Sequence, residues 1–267
     1  MSQTAETRIE YRGVTKRFPG QGEGAAVTAV RDVHLAVRSG EVVSLIGPSG
    51  CGKSTLLNMG SGLYLPTEGE VFVDGMIVDG PNAHVAFMLQ KDLLLPWRSI
   101  RENVELGLEI RHVGKAERRE RALYLLDKCR LTRFVDHYPH QLSGGMRQRA
   151  ALARTLAVDP SVLLMDEPFS ALDAQTKMVL QQDLARTLAE EGKTAVFITH
   201  DLVESVALSD RIFVMSQRPG TIIREIPVDI PDRDRPMERR QHAKVGDYVR
   251  ELMSLLHINE HANDEEV

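Results

Sequence analysis

Gly47-Pro48-Ser49-Gly50-Cys51-Gly52-Lys53-Ser54 is the stretch that decides the fold. It fits G-x-x-x-x-G-K-[ST] at every fixed position, follows the apolar run Val42-Val43-Ser44-Leu45-Ile46, and opens onto a helical pattern at Lys53. A strand, a glycine-rich turn and a helix start, in that order, form a phosphate cradle. Glycines let the backbone wrap an anion with its N–H groups pointing inward, and the helix N-terminus adds partial positive charge. Gly47, Pro48, Ser49, Gly50, Cys51 and Gly52 are therefore candidate nucleotide-binding residues. Lys53 is expected to reach the β- and γ-phosphates, Ser54 to ligate Mg²⁺, and Thr55 to add a hydroxyl near the α-phosphate. Helix N-termini also lower thiol pKa values, so Cys51 is expected to be alkylated readily and to be protected by ATP, the alternative being an inert small residue.

Working outward, Val162-Leu163-Leu164-Met165-Asp166-Glu167 carries four apolar residues into two carboxylates. A strand of this kind delivers its acids to the C-terminal edge of the sheet, where ligands of α/β folds sit. Adjacent strand residues face opposite sides, so the two acids divide the work. Asp166 is the candidate metal ligand and Glu167 the candidate general base. His200 follows another apolar run, Val196-Phe197-Ile198-Thr199, at the same predicted edge. Asp201, with Glu204 three residues on, reads as a capping box starting the next helix.

Short β-rich runs alternate with longer helical patterns along the chain, which predicts a mainly parallel sheet covered on both faces. Residues 41–46, 162–165 and 194–199 read as buried strands. Residues 211–215 and 221–226 read as the sheet edge or an antiparallel layer. Residues 9–37 with 70–73 read as an antiparallel subdomain beside the parallel core. Helices are expected from Lys53, over 145–157, over 174–191 and after Asp201. The division expected is a nucleotide-binding domain over 8–230 and a charged, partly helical tail over 231–267. Residues 245–256 of that tail are amphipathic and expected to pack on their own domain. His257 and His261 belong to a solvated end rather than a metal site.

Composition narrows the class. Of 267 residues 42% are hydrophobic, enough for a full core, and the formal net charge of -5 disfavours a nucleic-acid partner. Two cysteines, Cys51 and Cys129, cannot make a disulfide framework. Residues 1–8 carry no apolar h-region, so no secretory signal is expected. No apolar run approaches the ~18 residues that a spanning helix needs.

A phosphate loop alone fits several classes. Leu142-Ser143-Gly144-Gly145-Met146-Arg147-Gln148-Arg149 narrows them, because it resembles the signature motif of ATP-binding-cassette (ABC) proteins. Over roughly residues 8–225 the order also resembles theirs: phosphate loop, Gln90, signature, Asp166-Glu167, Ser170-Ala171-Leu172-Asp173, then His200. Met146 stands where Gln is commonest. The resemblance implies a P-loop NTPase core with a mainly parallel sheet, an antiparallel β subdomain and a helical subdomain carrying the signature. It implies an ATPase that works as a head-to-tail homodimer, with ATP and Mg²⁺ between the phosphate loop of one copy and Ser143, Gly144 and Gly145 of the other. In that scheme Gln90 contacts Mg²⁺ and the attacking water, His200 contacts the γ-phosphate, and Asp173 helps form the dimer seam. Phe18 is the candidate for stacking on adenine, with Tyr11 as the alternative and a core role as the plainer reading of either ring.

Gln90-Lys91-Asp92-Leu93-Leu94-Leu95-Pro96-Trp97-Arg98-Ser99 and Arg218-Pro219-Gly220-Thr221-Ile222-Ile223 resemble the ATPases of nitrate, sulfonate and taurine importers. That resemblance implies transmembrane permease subunits, a solute-binding protein acting indirectly, and a peripheral place on the cytoplasmic face of the inner membrane. Leu93 to Trp97 would form the groove receiving a permease helix, the alternative being burial in the core. Cassette proteins acting on DNA or ribosomes fit less well. They carry a long coiled coil before the signature, or two cassettes per chain, and this sequence has neither. A non-hydrolysing regulatory cassette is disfavoured by intact Lys53, Asp166, Glu167 and His200.

Overall fold

The computed structural model describes residues 6–20, 25–170 and 172–256. In chain order the elements are β1 (Thr7–Phe18), β2 (Val27–Arg38), β3 (Val42–Ile46), α1 (Lys53–Gly60), β4 (Glu68–Val73), β5 (Met76–Ile77) and β6 (Val85–Met88). Next come α2 (Ile100–Ile110), α3 (Lys115–Lys128), α4 (Gly144–Ala157), β7 (Val162–Asp166), α5 (Ala174–Glu190), β8 (Thr194–Ile198) and α6 (Leu202–Leu208). The chain closes with β9 (Arg211–Met215), β10 (Ile222–Pro227), α7 (Pro236–Arg239) and α8 (Val245–Leu255).

Two sheets form. The central one runs β10-β9-β3-β8-β7-β6, parallel throughout except for antiparallel β10 at one edge. The smaller one, β2-β1-β4-β5, is antiparallel. This is the predicted P-loop NTPase arrangement, with helices α2 to α4 set apart on one side. Strands β3 and β8 are buried at all five positions, as expected of a parallel sheet covered on both faces.

Side-chain alternation in β7 divides the core. Leu163 and Met165 face the helices, in a cluster with Leu125, Leu152 and Phe197. Val162 and Leu164 face the antiparallel sheet, in a cluster with Ile9, Leu56 and Val71. A third cluster joins Ile212 and Val214 of β9 to Val206 of α6 and to Val245 and Leu252 of α8. The amphipathic segment thus buries its apolar stripe on α6. His257 and His261 lie outside the described residues. Among the described residues no helix is long and apolar enough to cross a membrane.

The capping box expected at Asp201 is half present. Asp201 caps α6, its side chain accepting from the Glu204 N–H. The Glu204 carboxylate turns inward instead, 2.7 Å from Lys177 Nζ and accepting from Gln181. Burial raises the pKa of Glu204, and a lysine and an amide in the core are better partners for it than a surface N–H. A complete capping box lies at Ser99 and Glu102, opening α2.

Candidate active site

Five parallel strands bring their C-terminal ends to one edge in the spatial order β9, β3, β8, β7, β6. Beyond them lie, in the same order, residues 216–221, the phosphate loop, His200, the Asp166-Glu167 pair and Gln90. A cleft of about 470 Å³ opens there, lined by Ser49, Gly50, Lys53, Ser54, Thr55, Glu167, His200 and Arg218 among others. A larger hollow of about 640 Å³ lies against α2 and α3. Its lining sets Glu117, Glu120, Asp159 and Glu191 against the single cation Arg121, a net negative charge that would repel phosphate.

Helix α1 begins at the cleft. Gly52 caps it with φ 107°, a left-handed conformation, and no side chain takes up its first N–H groups. Those donors are left to a ligand, with the helix dipole behind them. Lys53 Nζ donates to the carbonyls of Gly47 and Pro48 at 2.8 and 2.9 Å, which lays the ammonium along the loop. The Cys51 thiol is 1% exposed and packs in the core, its Sγ accepting from Lys53 Nζ at 3.7 Å. That burial works against the ready alkylation expected of the thiol, which packs beneath the loop and beside the Lys53 ammonium.

The two acids diverge as strand geometry requires. Asp166 lies beside the Ser54 hydroxyl, which favours its charged form. Burial raises its pKa, and the neighbouring charge of Glu167 adds to this, against the pull of Ser54 and Lys53. Ser54 and Asp166 form a hard-oxygen pair beside the phosphate cradle. Mg²⁺ suits such a pair, because it takes one or two protein oxygens and fills its shell with phosphate oxygens and water. Glu167 sits at φ 47°, left-handed for a residue with a Cβ, a conformation costing about 1–3 kcal/mol. Its N–H bonds the Ile198 carbonyl at 3.2 Å. Gln90 Nε2 donates to Glu167 Oε2 at 3.2 Å and to Ser170 Oγ at 3.1 Å. His200 Nδ1 lies 3.6 Å from the same Glu167 oxygen. An amide, an imidazole and a strained turn thus aim one carboxylate.

The sequence model described as "ABC transporter" matches residues 30–170, more than half the chain. This chain belongs to the ABC transporter family. It is an ATPase cassette of that family. A nitrate import ATP-binding protein, NrtD of Synechocystis sp., is 42% identical over 240 residues, 88% of this chain and 90% of its own. A taurine import ATP-binding protein, TauB of Yersinia pestis bv. Antiqua, is 43% identical over 205 residues, 77% of this chain and 80% of its own. Among solved structures, the ATP-binding cassette MJ0796, a dimer bound to ADP and Pi in a post-hydrolysis state, superposes with a TM-score of 0.73 at 37% identity. That match covers 84% of this chain and 100% of the other.

The cassette's remaining candidates lie apart from the cleft. Ser143 caps α4, its hydroxyl accepting from the Met146 N–H at 3.3 Å. Asp173 caps α5, accepting from the Thr176 N–H at 3.0 Å, and those bonds hold its carboxyl below the usual range. Gly145 has a packing reason beyond its amide: a Cβ there would sit 2.3 Å from Thr176 Cγ2. Thr176 therefore ties the start of the signature helix to the Asp173 turn. None of Ser143, Gly144, Gly145 and Asp173 lines the cleft of its own chain. Ala171 lies outside the described residues.

Phe18 ends β1, half-exposed and edge-on to Tyr64 with ring centroids 5.5 Å apart. Tyr11 is corrected as the alternative base platform. It is 3% exposed, and its hydroxyl donates to the Leu56 carbonyl in the core. Past Gln90 the chain is bolted to the signature helix. Arg147 pairs with Asp92 at 2.9 Å, and Arg154 donates to the carbonyls of Asp92 and Leu93. Leu94 is buried beneath, while Leu93 and Trp97 stand 54% and 71% exposed. The sequence reading gave no role to Ser170 or to the Arg218 side chain. An arginine in an Arg-Pro-Gly turn just past a strand of the nucleotide edge was the available signal for the second.

Proposed function

We propose that this cassette is the energy-coupling subunit of an importer, hydrolysing ATP at two composite sites formed head to tail with a second copy. The observation carrying the proposal is a mismatch within one chain. The cleft holds groups for phosphate, metal and water activation, yet the capped start of α4 and the Asp173 turn stand outside it. A second copy, rotated to bring its Ser143, Gly144 and Gly145 over the first cleft, would supply a helix N-terminus to the far side of the γ-phosphate. The dimeric state of MJ0796 supports this reading.

Within each site, Lys53 and the free N–H groups of α1 bind and orient the phosphate chain. Ser54 and Asp166, with Gln90 beside them, would hold Mg²⁺, which when bound neutralises phosphate charge. Glu167 takes the proton of the attacking water, aimed by Gln90. His200 contacts the γ-phosphate, Asp173 lies at the seam between copies, and Phe18 stacks on adenine.

Exposed Leu93 and Trp97, on the segment that links Gln90 to the signature helix, are proposed to receive a helix of a permease subunit at the cytoplasmic face of the inner membrane. The import function named for NrtD and TauB supports that direction of transport. It also supports a small solute of the nitrate, sulfonate or taurine type, delivered by a solute-binding protein. Glu167→Gln tests the catalytic core of the reading. The variant is expected to bind ATP, dimerise in MgATP and lose about 10²–10⁴-fold in hydrolysis. Wild-type turnover in that variant would remove Glu167 from the mechanism.

A further inference from the structure

The connection from β9 to β10, residues 216–221, is wedged between the phosphate loop and the antiparallel sheet. On one side the Gly220 N–H donates to the Ala29 carbonyl at 2.9 Å, and the Arg31 N–H donates to the Gly220 carbonyl at 3.0 Å. On the other, Gly220 lies so close to the loop that a Cβ would stand 2.0 Å from the Cys51 carbonyl oxygen. The turn is closed within itself by the Ser216 N–H to the Thr221 carbonyl and the Thr221 N–H to Ser216 Oγ, each at 3.0 Å. From this fixed turn Arg218 reaches back over the loop, and its Nε donates to the Gly50 carbonyl at 3.0 Å.

That single bond uses one of five guanidinium donors. Among the described residues no carboxylate lies within ion-pair distance of Arg218, and its side chain lines the same cleft as Lys53 and His200. The cleft therefore carries a second permanent cation, held by backbone geometry rather than by a counter-ion. A planar fork beside a phosphate loop matches two oxygens of a phosphate chain, a contact that a lysine cannot copy. Phe18, the proposed base platform, lies outside the cleft, so the fork is placed for phosphates rather than for the base.

We propose that Arg218 is a nucleotide-contacting residue: it donates to the β- or γ-phosphate from a turn stapled to the phosphate loop, and so adds to the grip of Lys53. The proposal rests on the reading of this cleft as the ATP site. The test is equilibrium binding of ATP, ADP and AMP, with Mg²⁺, to full-length wild type, Arg218→Ala, Arg218→Lys and Lys53→Ala. Arg218→Ala is expected to weaken ATP and ADP about tenfold and AMP less than twofold, with Arg218→Lys between it and wild type. Arg218→Gln, which keeps a donor for Gly50, is expected to show the same selective loss, separating phosphate contact from loop support. Wild-type ATP affinity in Arg218→Ala, equal weakening of all three nucleotides, or full rescue by Arg218→Gln would overturn the proposal. Lys53→Ala is the separate control: if it binds ATP like wild type, the ATP-site reading fails whatever Arg218 does.

Discussion

The phosphate cleft and the start of the signature helix are both built from motifs at element ends, but they differ in closure. At the cleft, residues from the ends of four strands meet: Gln90, His200 and Ser170 gather on or beside Glu167, and Ser54 lies beside Asp166. At the signature, Ser143 and Asp173 satisfy only their own helices and face outward. The first region gathers side chains from across its own chain, whereas the second, among the described residues, gathers none at its caps and faces outward. The difference fits a site divided between two copies. In that reading one kind of device, a helix N-terminus, cradles the ligand from its own chain in one place and from the partner copy in another.

The comparison can be broken most severely at Gln90. Gln90→Ala frees the Glu167 carboxylate from its amide partner, and hydrolysis is expected to fall about 10²-fold while ATP affinity holds. An ATPase assay beside a binding titration checks this split. Next in size is Gly145→Ala. The new methyl would meet the stiff β-branched Thr176, at an expected cost of about 1–3 kcal/mol in denaturant unfolding. Adding Thr176→Ala should recover most of that loss, because it removes the clashing Cγ2.

A smaller effect is expected behind His200. Asp201 is partly buried, which by itself would raise its pKa. Its bonds from Lys177 and the Glu204 N–H outweigh this and set it below the ordinary value of 3.8. A carboxylate depressed in the fold stabilises it above its unfolded pKa, and that contribution is lost as pH falls through the lower folded value. Asp201→Ala should therefore lower the midpoint of thermal unfolding at pH 7 by the equivalent of about 1 kcal/mol, with the gap from wild type closing below pH 3.8. The smallest effect on the isolated chain is expected from Trp97→Ala, within about 0.5 kcal/mol for so exposed a side chain. In the assembled transporter the same change is expected to uncouple hydrolysis from uptake, measured with labelled solute in vesicles.

What could be read from the sequence followed from locality. The phosphate loop, the acids ending β7, His200 past β8 and the N-cap at Asp201 each depend on a few neighbouring residues, and each lies at the predicted sheet edge. Contacts between distant segments were not legible. Tyr11 carries an aromatic ring suited to adenine, but the pairing of β1 with β2 and β4 turns it into the core. Glu204 has the spacing of a capping box, yet Lys177 and Gln181, on α5, capture its carboxylate. Cys51 sits in a loop that favours a reactive thiol, but the wrap of that loop buries it. Arg218 reaches Gly50 only because Gly220 permits a close approach between two segments far apart in the chain.

The most direct measurement mixes two inactive variants. Lys53→Ala damages the phosphate cradle and Ser143→Arg blocks the outward face of the signature, so neither homodimer should hydrolyse ATP. In a mixed dimer, one site joins the intact cradle of the Ser143 variant to the intact signature of the Lys53 variant. ATPase activity is therefore expected to return on mixing and to scale with the fraction of mixed dimer. A mixture that stays as inactive as its two components would contradict a site shared between two copies.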